Sequence, residues 1–327
     1  MMNTDIAQQE TVQDVSIKSK LLRPGNLIAL LVAVFVIYIF LRRFHFAEAI
    51  TIIGKADIWL FIAAVFVFYV SLPLRGHRWK ILLAGSNIDL PQWDLTRYYF
   101  LAWFANCILP ARIGDVYRAY LLKKNNQISV SLSLGVLFSE KIFDLASTAI
   151  LVMAGGLFYF DKIADPHLRA IIIDGLWIVG ILVVIFTILS WRSGILKKIL
   201  PVRFLHIYEL FSRGLFRTPR LIPLVGVESF MIWLTEAGRL FFVAWALGLR
   251  IDFMLAVFIS QASLILMTLP LTPAGLGLVE LLMLTLLGQT GLSGDMAAAV
   301  VIGDRLISFW SLIIFGGIHY LLSSRSR

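Results

Sequence analysis

A single cysteine, Cys107, in a chain of 327 residues excludes an intramolecular disulfide and any thiolate metal cluster. It lies within an apolar run, where a thiol packs as a small hydrophobe. Charge is scarce as well: Asp, Glu, Lys and Arg make up 15% of the residues, against 59% hydrophobic. A water-soluble domain of this size cannot bury so much apolar surface, so the surrounding solvent is lipid. Also missing are a glycine-rich phosphate loop with lysine, a nucleophile elbow and an HExxH pair, so no ATP site or hydrolase is visible. His77 has no second histidine placed for a metal site, and neither metal nor cofactor is expected.

The basic residues, which bring the net charge to +9, sit between apolar runs. That pattern suits loops touching anionic lipid heads and argues against nucleic-acid binding. Residues 1–22 form a polar tail expected to be disordered, without the layout of a cleavable signal peptide. Residues 23–322 form one transmembrane domain, and 323–327 a short tail. Within the domain, six runs are long enough to span: 24–43, 57–75, 133–160, 171–191, 222–247 and 296–322.

Two further apolar stretches, 98–122 and 253–290, are interrupted by Pro and Gly. Broken backbone survives at membrane depth only inside protein or beside a wet cavity, so both are expected to be re-entrant or discontinuous helices. With both returning to their side of entrance and the N-terminus cytoplasmic, eighteen basic residues fall inside and six outside. The positive-inside rule favours that map, which puts both termini in the cytoplasm of a cell-membrane protein. The segment 192–221 mixes basic and bulky apolar residues, as a cytoplasmic helix in the headgroup zone would.

The two broken stretches echo each other. "PARIGD" begins at Pro110 and "PAGLGLVE" at Pro273, each with Pro-Ala-x-x-Gly, placing Gly114 opposite Gly277 and leaving Gly275 between. Glu140-Lys141 begins 30 residues after the first proline, and Asp304-Arg305 begins 31 after the second. Under the charge map the two stretches enter from opposite faces, which is an inverted repeat whose broken helices meet near the midplane. The fold expected is therefore an all-α polytopic membrane protein in two inverted halves.

Charges inside apolar segments are costly, about 2.5–3.5 kcal/mol each at the bilayer centre, and must pair, line a wet cavity or bind a ligand. Arg112, Asp115 and Arg118 follow Pro110 at three-residue spacing, as Lys141 follows to Asp144 and Glu236 to Arg239. Asp115 is outnumbered by its two arginines, leaving a guanidinium for a phosphate oxygen pair. Arg112 and Arg118 are the expected grip, with Asp115, Glu140, Lys141, Asp144, Arg239, Glu280, Asp304 and Arg305 around the headgroup. Register-fixing salt bridges are the competing reading for the Glu140–Lys141 and Asp304–Arg305 pairs. Asn106 either caps carbonyls freed at the break or touches a headgroup. The cluster of Arg75, Arg78 and Trp79 reads as an interfacial anchor or as a funnel admitting headgroups.

At these residues the sequence resembles a known family. "FANCILPARIGDVYRAYLLKK", "SEKIFDLAS", "LPLTPAGLGLVE" and "GDRLISFW" are similar to blocks of the lysylphosphatidylglycerol synthase transmembrane region, which includes a bacterial lipid flippase domain and many stand-alone relatives. The resemblance implies a lipid translocase fold handling phosphate-bearing or headgroup-modified lipids. It points to Asn106, Pro110, Arg112, Gly114, Asp115, Arg118, Glu140, Asp144, Pro273, Gly275, Gly277, Glu280 and Arg305. The chain ends seven residues after Tyr320, so the aminoacyl-transferring domain of the bifunctional relatives, and its enzymatic step, are not expected. The partners expected are membrane lipids and, in a non-transporting alternative, a lipid-synthesis enzyme for which the chain is a scaffold. A membrane-embedded transferase acting on phospholipid or polyprenyl phosphate is the other rival.

Overall fold

The computed structural model describes residues 46–109, 112–159, 221–268 and 273–325, with isolated helical residues between 166 and 184. The expected tail 1–22, the span 24–43, most of the span 171–191, the interfacial stretch up to residue 220, Pro110 and the last two residues lie outside them. Among the described residues all regular structure is helical.

Helix α1 (Phe46–Gly54) leads to α2 (Ile58–Ala84), capped by Asp57, whose carboxylate accepts from the Trp59 and Leu60 N–H groups. α2 does not stop at the charges after residue 75. It runs on through Pro73, and the side chain of Gln92 donates to the Pro73 carbonyl at 3.1 Å. The first broken stretch is a hairpin of α3 (Gln92–Ile108) and α4 (Ile113–Asn126), beginning earlier than the pattern at 98–122 implies. Long helix α5 (Val130–Tyr159) follows, then α6 (Ile222–Ala246). The second broken stretch is α7 (Phe253–Thr268), a 3-10 turn at Pro273–Gly275, and α8 (Leu278–Gly288). α9 (Gly294–Arg305) passes through a π-helical turn (Leu306–Trp310) into α10 (Ser311–Arg325).

Helix lengths separate rods from hairpins. α2 and the α9–α10 rod up to His319 are long and apolar enough to cross a membrane. α5 and α6 have 30 and 25 residues but carry the acidic and basic side chains described below. The hairpin limbs have 17, 14, 16 and 11 residues, each short of the roughly 20 needed to cross a hydrocarbon core. Within each hairpin the two limbs pack on one another.

The packing pairs the two parts of the chain reciprocally. α2 packs along α6, α3 lies against α10, and α7 lies against α5. The last two contacts are close because each is made at a Gly-Gly dyad. A Cβ on Gly155 of α5 would sit 2.8 Å from Phe258 Cβ, and one on Gly316 of α10 would sit 2.7 Å from Phe104 Cβ. α3 also touches the turn at 273–275, so the two breaks approach each other.

Polarity is turned inside out. Trp59, Phe66, Trp93 and Trp310 project outward, while Arg78, Arg118 and Glu140 are fully buried. A broad apolar exterior around buried charge suits a hydrocarbon solvent and would aggregate in water. Arg75, Arg78 and Trp79 are all buried in the bundle. The reason is the length of α2, which carries them inward against the carboxylates of α5 and α6.

Candidate functional site: a cavity where the two helix breaks meet

Each break is built by a strained residue and a satisfied glycine. Arg112 (φ 53°, ψ 38°) and Ala274 (φ 49°, ψ 23°) both adopt the left-handed conformation, which costs a non-glycine residue about 1–2 kcal/mol. Residues held in such regions cluster at working sites. Just beyond, the Gly114 N–H donates to Asn106 Oδ1 at 2.8 Å, and the Gly277 N–H donates to Glu280 Oε2 at 2.6 Å. Asn106 therefore caps an amide, not the freed carbonyls that sequence suggested. Gly114 is obligatory for this contact, since a Cβ there would lie 2.0 Å from the Ala102 carbonyl oxygen. Gly277, at φ 87°, turns the chain into α8 as few other residues can.

Removing the Asn106 side chain should therefore leave the Gly114 amide buried and unpaired. Asn106→Ala should lower stability by about 1–3 kcal/mol, readable by thermal unfolding in detergent, whereas Asn106→Asp should retain most of it. Wild-type stability in the alanine variant would show that the break is held otherwise.

The buried charges form three ionic networks among the described residues. In the first, Arg78 donates to Glu140 at 3.0 Å, to Asp144 at 2.7 Å and to Ser229 at 2.7 Å. Glu140 also pairs with Arg118 at 3.1 Å and accepts from the Tyr99 hydroxyl at 2.9 Å. Lys141 links this set to the first break, lying 3.3 Å from Asp115 and 3.9 Å from Asp144, while Arg112 stands 3.8 Å from Asp115. In the second network, Arg75 meets Glu236 at 3.0 Å, and Arg239 bridges Glu236 to Asp304, the latter at 2.7 Å. The third is a pair, Arg305 to Glu280 at 2.7 Å.

This arrangement gives Arg118 and Asp115 partners that the three-residue spacing did not indicate. Arg118 is fully buried, held by Glu140 and enclosed between the Trp79 ring at 4.5 Å and the Tyr99 ring at 4.2 Å, so it is not the uncommitted guanidinium. The partner of Asp115 at the shorter distance is Lys141 from the next helix, not the arginine three residues on either side. Arg112 is the half-buried cation with the loosest pairing. The matched acidic residues also have matched partners that the sequence did not disclose. Arg78, 32 residues before Pro110, pairs with Glu140; Arg239, 34 residues before Pro273, pairs with Asp304. The downstream neighbours Lys141 and Arg305 turn elsewhere, to Asp115 and Glu280.

A cavity of about 110 Å³ lies where the breaks converge. Asn106, Cys107 and Arg112 line it from the first break, and Met267, Ala274 and Val279 from the second. Its polar wall is made by Arg75, Glu236, Arg239, Asp304 and Arg305, with Trp103 and Trp233 beside them. Arg75 is clamped by those indoles, at 4.6 and 4.8 Å from the ring centres. Arg305 retains a buried Nη2 with no hydrogen-bond acceptor among the described residues. Glu140, Lys141, Asp144 and Arg118 stand behind the wall; Glu280 reaches it through Arg305. No cluster suited to a metal ion occurs among the described residues. Chemically, the cavity can hold an anionic group against fixed guanidinium donors.

The sequence matches the family described as the lysylphosphatidylglycerol synthase TM region over residues 26–316. It is 32% identical to a UPF0104 membrane protein of Methanocaldococcus jannaschii over 68% of this chain and 95% of that protein. A UPF0104 membrane protein of Pyrococcus horikoshii is 25% identical over 84% of this chain and 90% of its own length. Glycosyltransferase AglD of Haloferax volcanii is 27% identical over 85% of this chain, a match covering 51% of AglD. An inside-out helical bundle, with relatives that are stand-alone membrane proteins and a family match over most of its length, makes this chain a membrane protein of the lysylphosphatidylglycerol synthase transmembrane region family.

Proposed function

We propose that the protein is a flippase-like transporter that moves a phosphate-bearing lipid headgroup between leaflets of the cell membrane. The observation that carries this reading is the cavity at the meeting of two broken hairpins, with Arg112 at one break and Arg305 against the other. Discontinuous helices converging from two repeats are where transporters bind their substrates. The reciprocal packing of α3 on α10 and α7 on α5 is what an inverted repeat would give, and the excess of basic residues on one side of the charge map favours re-entrant hairpins and cytoplasmic termini. Acyl chains stay in the bilayer, so only the headgroup needs the polar route. An aminoacylated phospholipid and a polyprenyl-linked lipid both meet that description.

A second reading, a membrane-embedded transferase, draws on the relative named glycosyltransferase AglD. About half of AglD lies outside the match, so the transferase name need not belong to the shared part. The cavity wall also has its carboxylates tied to arginines, leaving no evident free base. One experiment separates the readings. The protein, reconstituted in vesicles with a fluorescent phospholipid, should expose the inner-leaflet probe to a membrane-impermeant quencher, and Arg112→Ala should slow this at least about tenfold with the fold intact. Covalent alteration of the probe, seen by mass spectrometry, would favour the transferase. Unchanged translocation in Arg112→Ala would remove Arg112 from the proposed route.

A further inference from the structure

The ionic networks carry a definite charge balance, and it names a class of headgroup. With every group in its ordinary charged form, Arg75 and Arg239 are matched by Glu236 and Asp304, and Arg305 by Glu280. Among the described residues the network that reaches the first break is not balanced: four cations, Arg78, Arg112, Arg118 and Lys141, face three carboxylates, Asp115, Glu140 and Asp144. One positive charge is left over, and Arg112, which lines the cavity and whose nearest carboxylate, at 3.8 Å, is farther off than that of any other cation in the network, carries it. A second observation lies across the cavity. Arg305 is nine-tenths buried, and its Nη2 has no acceptor among the described residues.

Resting on the transporter reading above, we infer that the cavity is matched to a monoanionic phosphodiester, and not to a phosphomonoester or diphosphate. A surplus of one charge in a low-dielectric site is neutralised by one negative charge and overshot by two, which restores the cost the pairing removes. The donor geometry agrees. Arg112 and the free Nη2 of Arg305 offer donors on two sides, and a phosphodiester has two unesterified oxygens. Its other two oxygens carry carbon and ask for no donor. A phosphomonoester or diphosphate brings further charge that this wall, whose Arg75 and Arg239 are already matched by Glu236 and Asp304, does not neutralise. Lipids carrying one phosphodiester, whether glycerophospholipids or polyprenyl phosphosugars, share the chemistry.

The test measures binding by the full chain in detergent, by isothermal titration calorimetry. The probes are short-chain phosphatidylglycerol, short-chain phosphatidate at a pH where it is dianionic, water-soluble glycerophosphoglycerol, and oleate. Phosphatidylglycerol should bind at least about tenfold tighter than phosphatidate. Arg112→Gln should erase that preference and Arg112→Lys should keep much of it. Asp115→Asn, at a half-buried site, raises the surplus to two and should swing the preference toward phosphatidate, a gain that mere structural damage cannot produce. Phosphatidate binding as well as phosphatidylglycerol in the wild type would overturn the inference, as would oleate competing equally. Soluble glycerophosphoglycerol binding as tightly as the lipid would support the same charge class while assigning it to a free phosphodiester. Because this readout is binding, a failure of translocation would strike the transporter reading and leave the charge match standing.

Discussion

Arg78→Ala is expected to destabilise the protein by about 3–5 kcal/mol, the range for removing one member of a buried ion network. Arg78 is fully buried and serves Glu140, Asp144 and Ser229 at once. Truncation leaves two carboxylates close together in a medium that solvates neither well, with Arg118 and Lys141 as their remaining counter-charges. Arg78→Lys should recover only part of the loss, because a single ammonium cannot present the planar fork that reaches acceptors on α5 and α6 together. Denaturant titration of the detergent-solubilised protein reads the effect. A loss below about 1 kcal/mol, the value of an exposed pair, would mean that water already reaches this network.

How far this network was legible in the sequence follows from the distances involved. Pro110 and Pro273 announced the breaks, because a proline after a short apolar run cannot continue a helix in lipid unsupported. The limbs, α3 with α4 and α7 with α8, lie where those prolines put them. The pairs Glu140-Lys141 and Asp304-Arg305 were visible as charge out of place. Their partners were not. Three-residue spacing identifies neighbours on one helix, whereas Arg78 and Glu140 are 62 residues apart and meet only because α2 packs beside α5. The same limitation hid the partners of Arg118, which is close to Asp115 in sequence but pairs with Glu140 and lies against two aromatic rings. The end of α2 was obscured by its charges, since Arg75 and Arg78 resemble a membrane-surface cluster until the carboxylates of α5 and α6 are placed opposite them. Strain at Arg112 and Ala274 had no sequence signal beyond the neighbouring prolines, because neither residue type prefers the left-handed region.

Glu280 concentrates two duties in one carboxylate, and so gives the other large effect. Its Oε2 accepts from the Gly277 N–H, holding the second break, while its Oε1 faces Arg305 at 2.7 Å. Glu280→Ala should cost about 3–5 kcal/mol, since it strands a buried guanidinium and also releases the amide. Glu280→Gln separates the duties: its amide oxygen can still accept from Gly277, but the charge opposite Arg305 is gone, so an intermediate loss is expected. Arg305→Leu in the Glu280→Ala background should then restore part of the stability, because the stranded charge has been removed. The double-mutant cycle should report a coupling of about 1–3 kcal/mol. What cannot be restored is the hold on the Gly277 amide, so the double variant should remain less stable than wild type by about one buried hydrogen bond, roughly 1–3 kcal/mol. Additive losses across the cycle would show that the two residues do not support each other.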